Sequence, residues 1–465
     1  MRGGKSFLIL LVVAVGLGAY IYFVESKREP AGSTVVPGEK VFAIEAGTIE
    51  EVRIESTSGE ATRVRRAGDG WQIVEPATIA ADTSAVSSLV STLEALESER
   101  TVDDNPASVA PYGLEPPRLA VSFTVSGETE ERRLLIGERT PTGSDLYARV
   151  EGDPKLILIA SYIEDSLDKT TFDLRDKAVL AFGRDGVDAV SLQVAGAAAI
   201  RLAKSGDDWR LAAPVNASAD FSSVDGLISR LFQARMEAII APTDPASTEA
   251  PSPADLRRYG LDTPAVTVEL GAGSTRAALA IGGEHEDSAR YARDLSRPIV
   301  FAVPSSLVTD LTKTADDFRS KDVFAFRSFT AVGLDVTSGT EGATFTKMPA
   351  GEAVEGEPPP SETWKQTAPS EKDVDQTKVT DLLSTLSNLR AQSFAERAHT
   401  SGEETTVTAR FGDAASPTEE RVVFRKSGDV VHAIRDGEPG AAVVSTTDFD
   451  RALSLFKELI GTGGQ

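Results

Sequence analysis

The 465-residue sequence is long enough for roughly three globular domains of about 100 to 200 residues each. Its 71 acidic residues outnumber its 48 basic residues, and the net charge of -23 repels phosphate backbones, which argues against nucleic acid as the main partner. The absence of cysteine excludes disulfides, a lipoprotein anchor and cysteine nucleophiles.

The N-terminal region predicts a single membrane span. Residues 7–24 read FLILLVVAVGLGAYIYFV, carry no charge, and as a helix would extend about 27 Å, close to the hydrocarbon thickness of a bilayer. Arg2 and Lys5 precede this span, so the positive-inside rule predicts that residues 1–6 are cytoplasmic. We therefore expect a single-pass protein of the inner (cytoplasmic) membrane with its C-terminal modules in the periplasm.

A cleaved signal peptide is the alternative interpretation of this region. Gly16 and Gly18 would offer small residues to a peptidase, but the apolar run continues to Val24, which favours a retained anchor. Residues 25–40 are rich in proline and glycine and lack hydrophobic periodicity, which predicts a linker.

The rest of the sequence is a tandem repeat marked by tryptophan. Each of the three tryptophans is followed by a proline five residues later and by an aspartate six residues after that proline. Identical spacing in three places indicates copies of one module. The residues of this frame are Trp71, Pro76 and Asp82, then Trp209, Pro214 and Asp220, and finally Trp364, Pro369 and Asp375.

The sequence around each frame predicts an antiparallel meander followed by a helix. Alternating apolar and polar residues predict strands, the proline ends the tryptophan strand because it lacks a backbone donor, and the aspartate can cap the helix. Three apolar residues at constant offsets from the aspartate should share one helical face. They are Val86, Leu89 and Leu93, then Val224, Leu227 and Leu231, and finally Val379, Leu382 and Leu386.

Further motifs recur in the first two copies and predict a second small sheet region. A Tyr-Gly-Leu motif, which the third copy lacks, is followed by an Ile-Gly pair and a Tyr-Ala-Arg motif. These motifs begin at Tyr112, Ile136 and Tyr147 in the first copy, and at Tyr259, Ile281 and Tyr291 in the second.

Both of these copies end in a shared ten-residue pattern, DLRDKAVLAF from Asp173 to Phe182 and DFRSKDVFAF from Asp317 to Phe326. We place the module boundaries there, which gives repeat modules at 41–182 and 183–326 and a degenerate third module at 327–465. The acidic, proline-rich stretch from Pro349 to Ser361 is expected to be a mobile hairpin loop.

Charged residues of the closing pattern are candidates for contacts between modules. Because they lie where one module passes into the next, we expect ion pairs that hold the angle between modules, with docking of a partner as the alternative. The candidates are Asp173, Arg175, Lys177, Asp317, Arg319 and Lys321.

These motifs, behind one N-terminal membrane helix, resemble the bacterial domain-of-unknown-function 4340 (DUF4340) family of membrane-anchored proteins. The resemblance is strong in the first two modules and weak in the third. Proteins of this family are often associated with ABC-type export systems similar to those of gliding-motility machinery, which include a permease and an auxiliary extracytoplasmic subunit. The resemblance thus implies a location and a class of partner, but no catalytic residue.

No pattern indicates catalysis, a cofactor or a metal. His285, His399 and His432 are the only histidines and do not stand at metal-ligand spacing, and no nucleotide-binding or hydrolase motif occurs. Adjacent carboxylates such as Asp103 and Asp104 are expected by chance in so acidic a chain. We therefore predict no catalytic, cofactor-binding or metal-binding residues.

The predicted fold is α+β, a tandem repeat of antiparallel-sheet-plus-helix modules behind one transmembrane helix. The leading functional hypothesis is a noncatalytic envelope protein, an accessory or scaffold subunit of an ABC-type transport system. The alternative is an extracytoplasmic polysaccharide or cell-wall binding protein, in which the tryptophans stack on sugars. Tryptophan beside an apolar helix favours core packing instead, with roughly 2 to 3 kcal/mol from the burial of each ring.

Overall fold

The computed structural model describes residues 39–242, 244, 247–286, 288–349 and 362–461. The predicted membrane span at 7–24 lies outside these residues, as does nearly all of the acidic loop expected after Pro349. In the part of the chain that is described, no helix is both long and apolar enough to cross a bilayer.

Three nine-stranded antiparallel sheets follow one another along the chain, and all three have the same strand order. Strands four, three, two and one of each module run side by side, strands six to nine continue the sheet, and the fifth strand lies at the far edge. Each module is therefore two four-stranded meanders joined through their first strands, with one strand that crosses to the opposite edge. The predicted repeat of antiparallel sheets is confirmed.

The first sheet contains nine of the first eleven strands, while β1 and β6 form a separate two-stranded pair. The strands are β1 (Glu39–Lys40), β2 (Ile49–Glu55), β3 (Ala61–Ala67), β4 (Gly70–Glu75), β5 (Ile79–Ala80), β6 (Glu97–Ser98), β7 (Arg100–Asp103), β8 (Leu119–Val125), β9 (Arg132–Arg139), β10 (Asp145–Val150) and β11 (Leu156–Ala160). The helices of this module are α1 (Thr83–Ala95), α2 (Glu164–Leu167) and α3 (Thr171–Leu174).

The second sheet contains β12 (Ala189–Val194), β13 (Ile200–Ser205), β14 (Asp208–Ala213), β15 (Ala217–Ser218), β16 (Ala238–Ala241), β17 (Val266–Ala272), β18 (Thr275–His285), β19 (Ala289–Asp294) and β20 (Val300–Pro304). Its helices are α4 (Phe221–Gln233), α5 (Pro253–Arg258), α6 (Ser305–Leu311) and α7 (Ala315–Phe318).

The third sheet contains β21 (Ala331–Ser338), β22 (Glu341–Met348), β23 (Thr363–Ala368), β24 (Lys372–Asp373), β25 (Ala391–Ala395), β26 (Glu403–Phe411), β27 (Thr418–Ser427), β28 (Val430–Arg435) and β29 (Ala441–Val444). Its helices are α8 (Gln376–Ser387) and α9 (Thr446–Ile460).

One long helix follows the fourth strand of every module and covers the sheet. The predicted apolar positions of α1, α4 and α8 are all buried, and their aspartate N-caps accept backbone hydrogen bonds from the first turn. In the first module the helix packs on inward-facing residues of the meander, such as Ile54 and Ile73. The core thus lies between this helix and one face of the sheet, as the hydrophobic periodicity predicts.

The chain divides into two compact units, with the division between Asp176 and Lys177. The first unit contains the first sheet, and the second unit contains the other two. The first boundary therefore lies earlier than residue 182, because Lys177 and the residues after it pair with the second module. The Met236 N–H donates to the Lys177 carbonyl, and Ala178 bridges Arg235.

The second boundary shifts in the same direction. The Ala391 N–H donates to the Lys321 carbonyl, and Phe324 and Phe326 are fully buried in the core of the third module. The ten-residue pattern therefore has two halves. The closing half, 173–176 or 317–320, ends one module, and the opening half, 177–182 or 321–326, begins the next. The boundary predicted at residue 326 falls inside the opening half.

Candidate functional site

The three tryptophans of the repeat frame lie in the cores. Their exposed fractions are 6% for Trp71, 4% for Trp209 and 7% for Trp364, so no broad ring face is available to a sugar. The prolines of the frame directly follow the tryptophan strands, and each is in the cis form. The aromatic rings therefore support the sheet, and the structure removes the main reason to regard them as stacking platforms.

A basic residue faces each tryptophan from the neighbouring strand, a regularity that was not noticed in the sequence. The register pairs Arg66 with Trp71, Lys204 with Trp209, and Lys347 with Trp364. The Arg66 guanidinium lies 4.7 Å from the Trp71 ring centroid, and the Lys204 ammonium lies 5.6 Å from that of Trp209. These cations cover ring surface that the core leaves open.

The motifs shared by the first two modules form one contact cluster in each. The rings of Tyr112 and Tyr147 are 4.8 Å apart, and those of Tyr259 and Tyr291 are 4.7 Å apart. A Cβ on Gly282 would come within 2.5 Å of the Tyr259 carbonyl oxygen. The glycine of the Ile-Gly pair is thus required because the backbone of the Tyr-Gly turn packs directly on it.

The third module has a pair of histidines where the other modules have tyrosines. The His399 and His432 rings are 4.3 Å apart, and the His399 backbone N–H donates to His432 Nδ1 over 3.1 Å. The remaining histidine, His285, is bonded to the Tyr291 hydroxyl through Nδ1. Of the three histidines, His432 is buried, His285 is half-buried and His399 is exposed.

The aspartates of the closing pattern act within their own helices. The Asp173 carboxylate accepts hydrogen bonds from the Thr170 N–H and hydroxyl, and Asp317 does the same for Thr314. The backbone hydrogen bond from Thr314 is the largest effect that holds the pKa of Asp317 below its ordinary value. These capping boxes explain why each threonine precedes its aspartate by three residues.

The arginines of the pattern lie at the edge of the preceding sheet. Arg175 bridges Ala81 in the first unit, and Arg319 bridges Ala219 in the second unit. The Asp220 N–H donates to the Phe318 carbonyl, and the Ser320 N–H donates to the Ser218 carbonyl. The closing half thereby covers the backbone of the fourth strand of its own module.

Arg319 joins the second module to the third. The residue is 8% exposed, its guanidinium carbon lies 3.8 Å from the Phe394 ring centroid, and Nη2 donates to the Pro439 carbonyl over 2.9 Å. Burial lowers the pKa of Arg319, which Asp316 and Glu438 oppose. Arg319 thus contacts the third module through a cation–π interaction and a carbonyl hydrogen bond, with an electrostatic attraction to Glu438.

Glu438 forms the second half of this joint. Its carboxylate accepts hydrogen bonds from the Ser218 N–H and hydroxyl, which ties the turn before β29 to the edge strand β15. An open groove of about 380 Å³ runs beside the joint, with Arg210, Arg327 and Arg435 among its lining residues. Arg327 and Arg435 are paired with Asp322 and Glu420 respectively, so the groove is not a simple cationic cleft.

The backbone carbonyls of Lys177 and Lys321 accept hydrogen bonds from the Met236 and Ala391 N–H groups of the next module. The residues that follow each lysine form the first segment of that module. The first module has the same opening, because the Val41 N–H donates to the Leu96 carbonyl just as that of Val323 donates to Leu389. The sequence signal was present as Val-Phe-Ala-Ile at 41–44, against Val-Leu-Ala-Phe at 179–182 and Val-Phe-Ala-Phe at 323–326. The letters of these three segments differ enough that the sequence alone does not reveal the repeat.

The buried carboxylates of the described residues are engaged by cations. Glu164 is held by Arg118 and Arg139, and the fully buried Asp294 pairs with Arg297 at 2.9 Å. Burial raises the pKa of Glu420, while the charge of Arg435 opposes this rise. No group of three or more potential metal ligands occurs in the described ranges.

The model of one protein family, described as a domain of unknown function (DUF4340), matches residues 71–210 and 209–410. The match starts at the first repeat tryptophan and extends through most of the third sheet. No curated protein and no solved structure matches the chain.

Proposed function

The chain belongs to the DUF4340 family, and on that premise we propose that it is a noncatalytic, membrane-anchored envelope protein. Residues 7–24 hold it in the inner membrane, and the three modules project into the periplasm. It acts as an accessory or scaffold subunit of an ABC-type transport system that is similar to those of gliding-motility machinery.

The observation that carries this proposal is the use of the shared motifs. The tryptophans fill the cores, the aspartates cap helices, and the Tyr-Gly and Ile-Gly motifs pack on each other. Residues that recur for structural reasons in three copies of one sheet support a modular arm, whose length and surface matter more than a reaction centre. Catalysis would require a different set of convergent polar groups.

Exposed aromatic side chains suggest where such an arm would contact a permease. Phe329 is 78% exposed, Phe221 is 58% exposed and Tyr162 is 74% exposed. When aromatic side chains become buried at the centre of a protein interface, they supply much of its binding energy. The net charge of -23 favours partners whose periplasmic surface is basic.

Photo-crosslinking in the native membrane tests the proposal. A photoreactive residue replaces Phe329, Phe221 or Tyr162 in turn, and the matched control carries it at Ala414, an exposed turn position without a large side chain. Adducts are identified by mass spectrometry after mild-detergent extraction. We expect adducts to a permease, with its ATPase co-purifying, from at least one aromatic position and none from Ala414.

Reproducible absence of transporter subunits from all positions would contradict the scaffold proposal. A parallel pull-down on purified cell-wall polysaccharide tests the alternative function. Retention there, without crosslinks to a permease, would favour polysaccharide binding through a surface other than the repeat tryptophans.

A further inference from the structure

The histidine pair of the third module occupies the same place as the tyrosine pairs of the other two. Ala148 pairs with Ile136, Ala292 pairs with Ile281, and Ala433 pairs with Phe424. The residue before each of these alanines is therefore equivalent, which aligns Tyr147 and Tyr291 with His432. His399 stacks on His432 as Tyr112 and Tyr259 stack on their partners. Only the third pair consists of imidazole rings.

The geometry of the histidine pair depends on a neutral His432. This ring is 6% exposed, and its Nδ1 accepts the backbone hydrogen bond from His399. An acceptor at Nδ1 places the proton of the neutral imidazole on Nε2. When a second proton binds, Nδ1 becomes a donor and faces the His399 N–H, so the hydrogen bond is lost.

The charged groups around the pair come from the neighbouring strands and from the connecting segment. From β27, Arg425 lies opposite His432, and its Nη1 donates to the His399 carbonyl over 3.2 Å. From β26, the exposed carboxylate of Glu404 pairs with Arg425, and from β29 the apolar Val443 faces His432. Glu396 and Arg397 are exposed in the connecting segment itself. Of these groups, Arg425 is the one bonded directly to the segment, through the His399 carbonyl.

We propose that His399 and His432 form a pH-sensitive latch that holds the segment 396–402, between β25 and β26, against the third sheet and releases it in mild acid. The equivalent pair of the first module, Tyr112 and Tyr147, contains no imidazole, so that module lacks the latch. A periplasmic arm would thereby carry one module whose surface responds to external pH.

The direction of the pH dependence follows from the environment of His432. Burial, and then the charge of His399, lowers the pKa of His432 from its ordinary value of 6.5. A lowered pKa in the folded state means that the latch contributes its full stability above pH 6.5 and loses it as the pH falls through the folded pKa. Release is therefore expected on the acid side of neutrality.

Hydrogen exchange and histidine NMR on the full-length protein test the latch. Exchange of the His399 amide and of residues 396–402 is compared at pH 7.5 and 5.5, after correction for the intrinsic pH dependence of exchange. We expect a several-fold loss of protection at pH 5.5 in this segment, and none in the equivalent segment 109–115 of the first module, whose Tyr112 packs on Tyr147. With three histidines in the chain, single substitutions assign each ring signal.

Two variants separate a latch from a merely structural contact. In His432→Asn the amide oxygen replaces Nδ1 as acceptor without titrating, and the double variant His399→Tyr, His432→Tyr rebuilds the pair of the other modules. Both should keep protection at pH 5.5, while the control His285→Asn should lose it as the wild type does.

If either variant unfolds at pH 7.5, the comparison of the two segments in the wild-type protein still decides between the outcomes. Unchanged protection of 396–402 at pH 5.5, or a His432 signal that titrates above 6.5, would overturn the proposal.

Discussion

The second and third modules each have a backbone N–H at the same position of the opening segment, and a carboxylate accepts a hydrogen bond from it. The carboxylate comes from a different strand in each module. In the second module, Asp294 at the end of β19 accepts from the Ala181 N–H and pairs with Arg297. The third module has Arg435 at the position equivalent to Asp294, and the acceptor for the Ala325 N–H is Glu420, which comes from β27. Arg435 and Glu420 are then paired at 2.6 Å.

This difference separates what the module requires from how the requirement is met. The opening segment enters a buried position, so its backbone N–H needs an acceptor. A carboxylate can reach this N–H from more than one strand of the sheet. The acidic and the basic residue can therefore swap strands, provided that the carboxylate still has an arginine as its partner. The Tyr-Gly and Ile-Gly motifs behave likewise, since both are replaced together in the third module, where Arg425 follows Phe424.

The largest expected effect comes from removing either buried carboxylate. Asp294→Ala and Glu420→Ala should each lower the free energy of unfolding of their module by about 3 to 5 kcal/mol, because an arginine and a backbone N–H lose their partner. Denaturant unfolding of the full chain measures this. Glu404→Ala, which removes an exposed partner of Arg425, should cost less than about 1 kcal/mol. Equal effects of Glu404 and Glu420 would contradict the comparison.

The Glu420→Gln variant tests the role of the buried carboxyl through the pH dependence of stability. A pKa that burial raises above 4.5 means that the folded state favours the protonated carboxyl, so this group contributes stability at low pH that is lost as the pH rises through its folded pKa. The glutamine variant should lack this pH dependence when unfolding midpoints are measured from pH 4 to 7. A profile identical to the wild type would be evidence against a raised pKa.

Gly282→Ala should destabilise the second module by roughly 1 to 3 kcal/mol, since its Cβ would collide with the Tyr259 and Gly260 carbonyl oxygens. The matched control is Gly226→Ala in α4, where a Cβ meets no atom within 4 Å. That control should stabilise the helix by about 0.5 to 1 kcal/mol. Thermal unfolding of both variants would show shifts of opposite sign, and a neutral Gly282 variant would refute the packing argument.

Arg319→Met should loosen the joint between the second and third modules. The Pro439 carbonyl loses its donor and the Phe394 ring loses its cation, at a cost of about 1 to 3 kcal/mol. The control Arg184→Met removes an exposed ion pair with Asp225 and should change stability by less than about 0.5 kcal/mol. Proteolysis near Pro439 should accelerate in the first variant only; similar rates in both would argue that Arg319 does not hold the joint.

The smallest effect is expected at the helix caps. Asp220→Ala and Asp375→Ala each remove backbone hydrogen bonds at the start of α4 or α8 and should cost about 1 kcal/mol. Since the two caps are equivalent, their unfolding midpoints should shift by similar amounts. A clear difference between the two shifts would show that the N-cap aspartate contributes unequally to the stability of the second and third modules.

Local patterns in the sequence predicted the parts of the module that local physics determines. The helix face through Val224, Leu227 and Leu231 follows from a 3.6-residue period, and the cap at Asp220 from its position before that period begins. Burial of the tryptophans followed from their position next to this helix. These features need only a window of about 20 residues.

The remaining features depend on pairing between distant segments. The position of the fifth strand at the far edge, and the equivalence of His432 with Tyr147 and Tyr291, become visible only when the register is known. The opening segment at 41–44 was missed because its letters vary while its pairing with Leu96 does not. The joint at Arg319 was located, but its chemistry depended on which groups of the next module came within reach.

The two-sided use of the ten-residue pattern determines where the protein can be cut into pieces. A fragment that starts at residue 183 discards the buried Val179 and Leu180, and leaves Arg235 without the chain that bridges it at Ala178. A bare β edge of this kind recruits strands from other molecules and promotes aggregation. A fragment that starts at Lys177 retains its own edge cover, so recombinant pieces of such arrays are best designed around the strand pairing instead of the visible repeat letters.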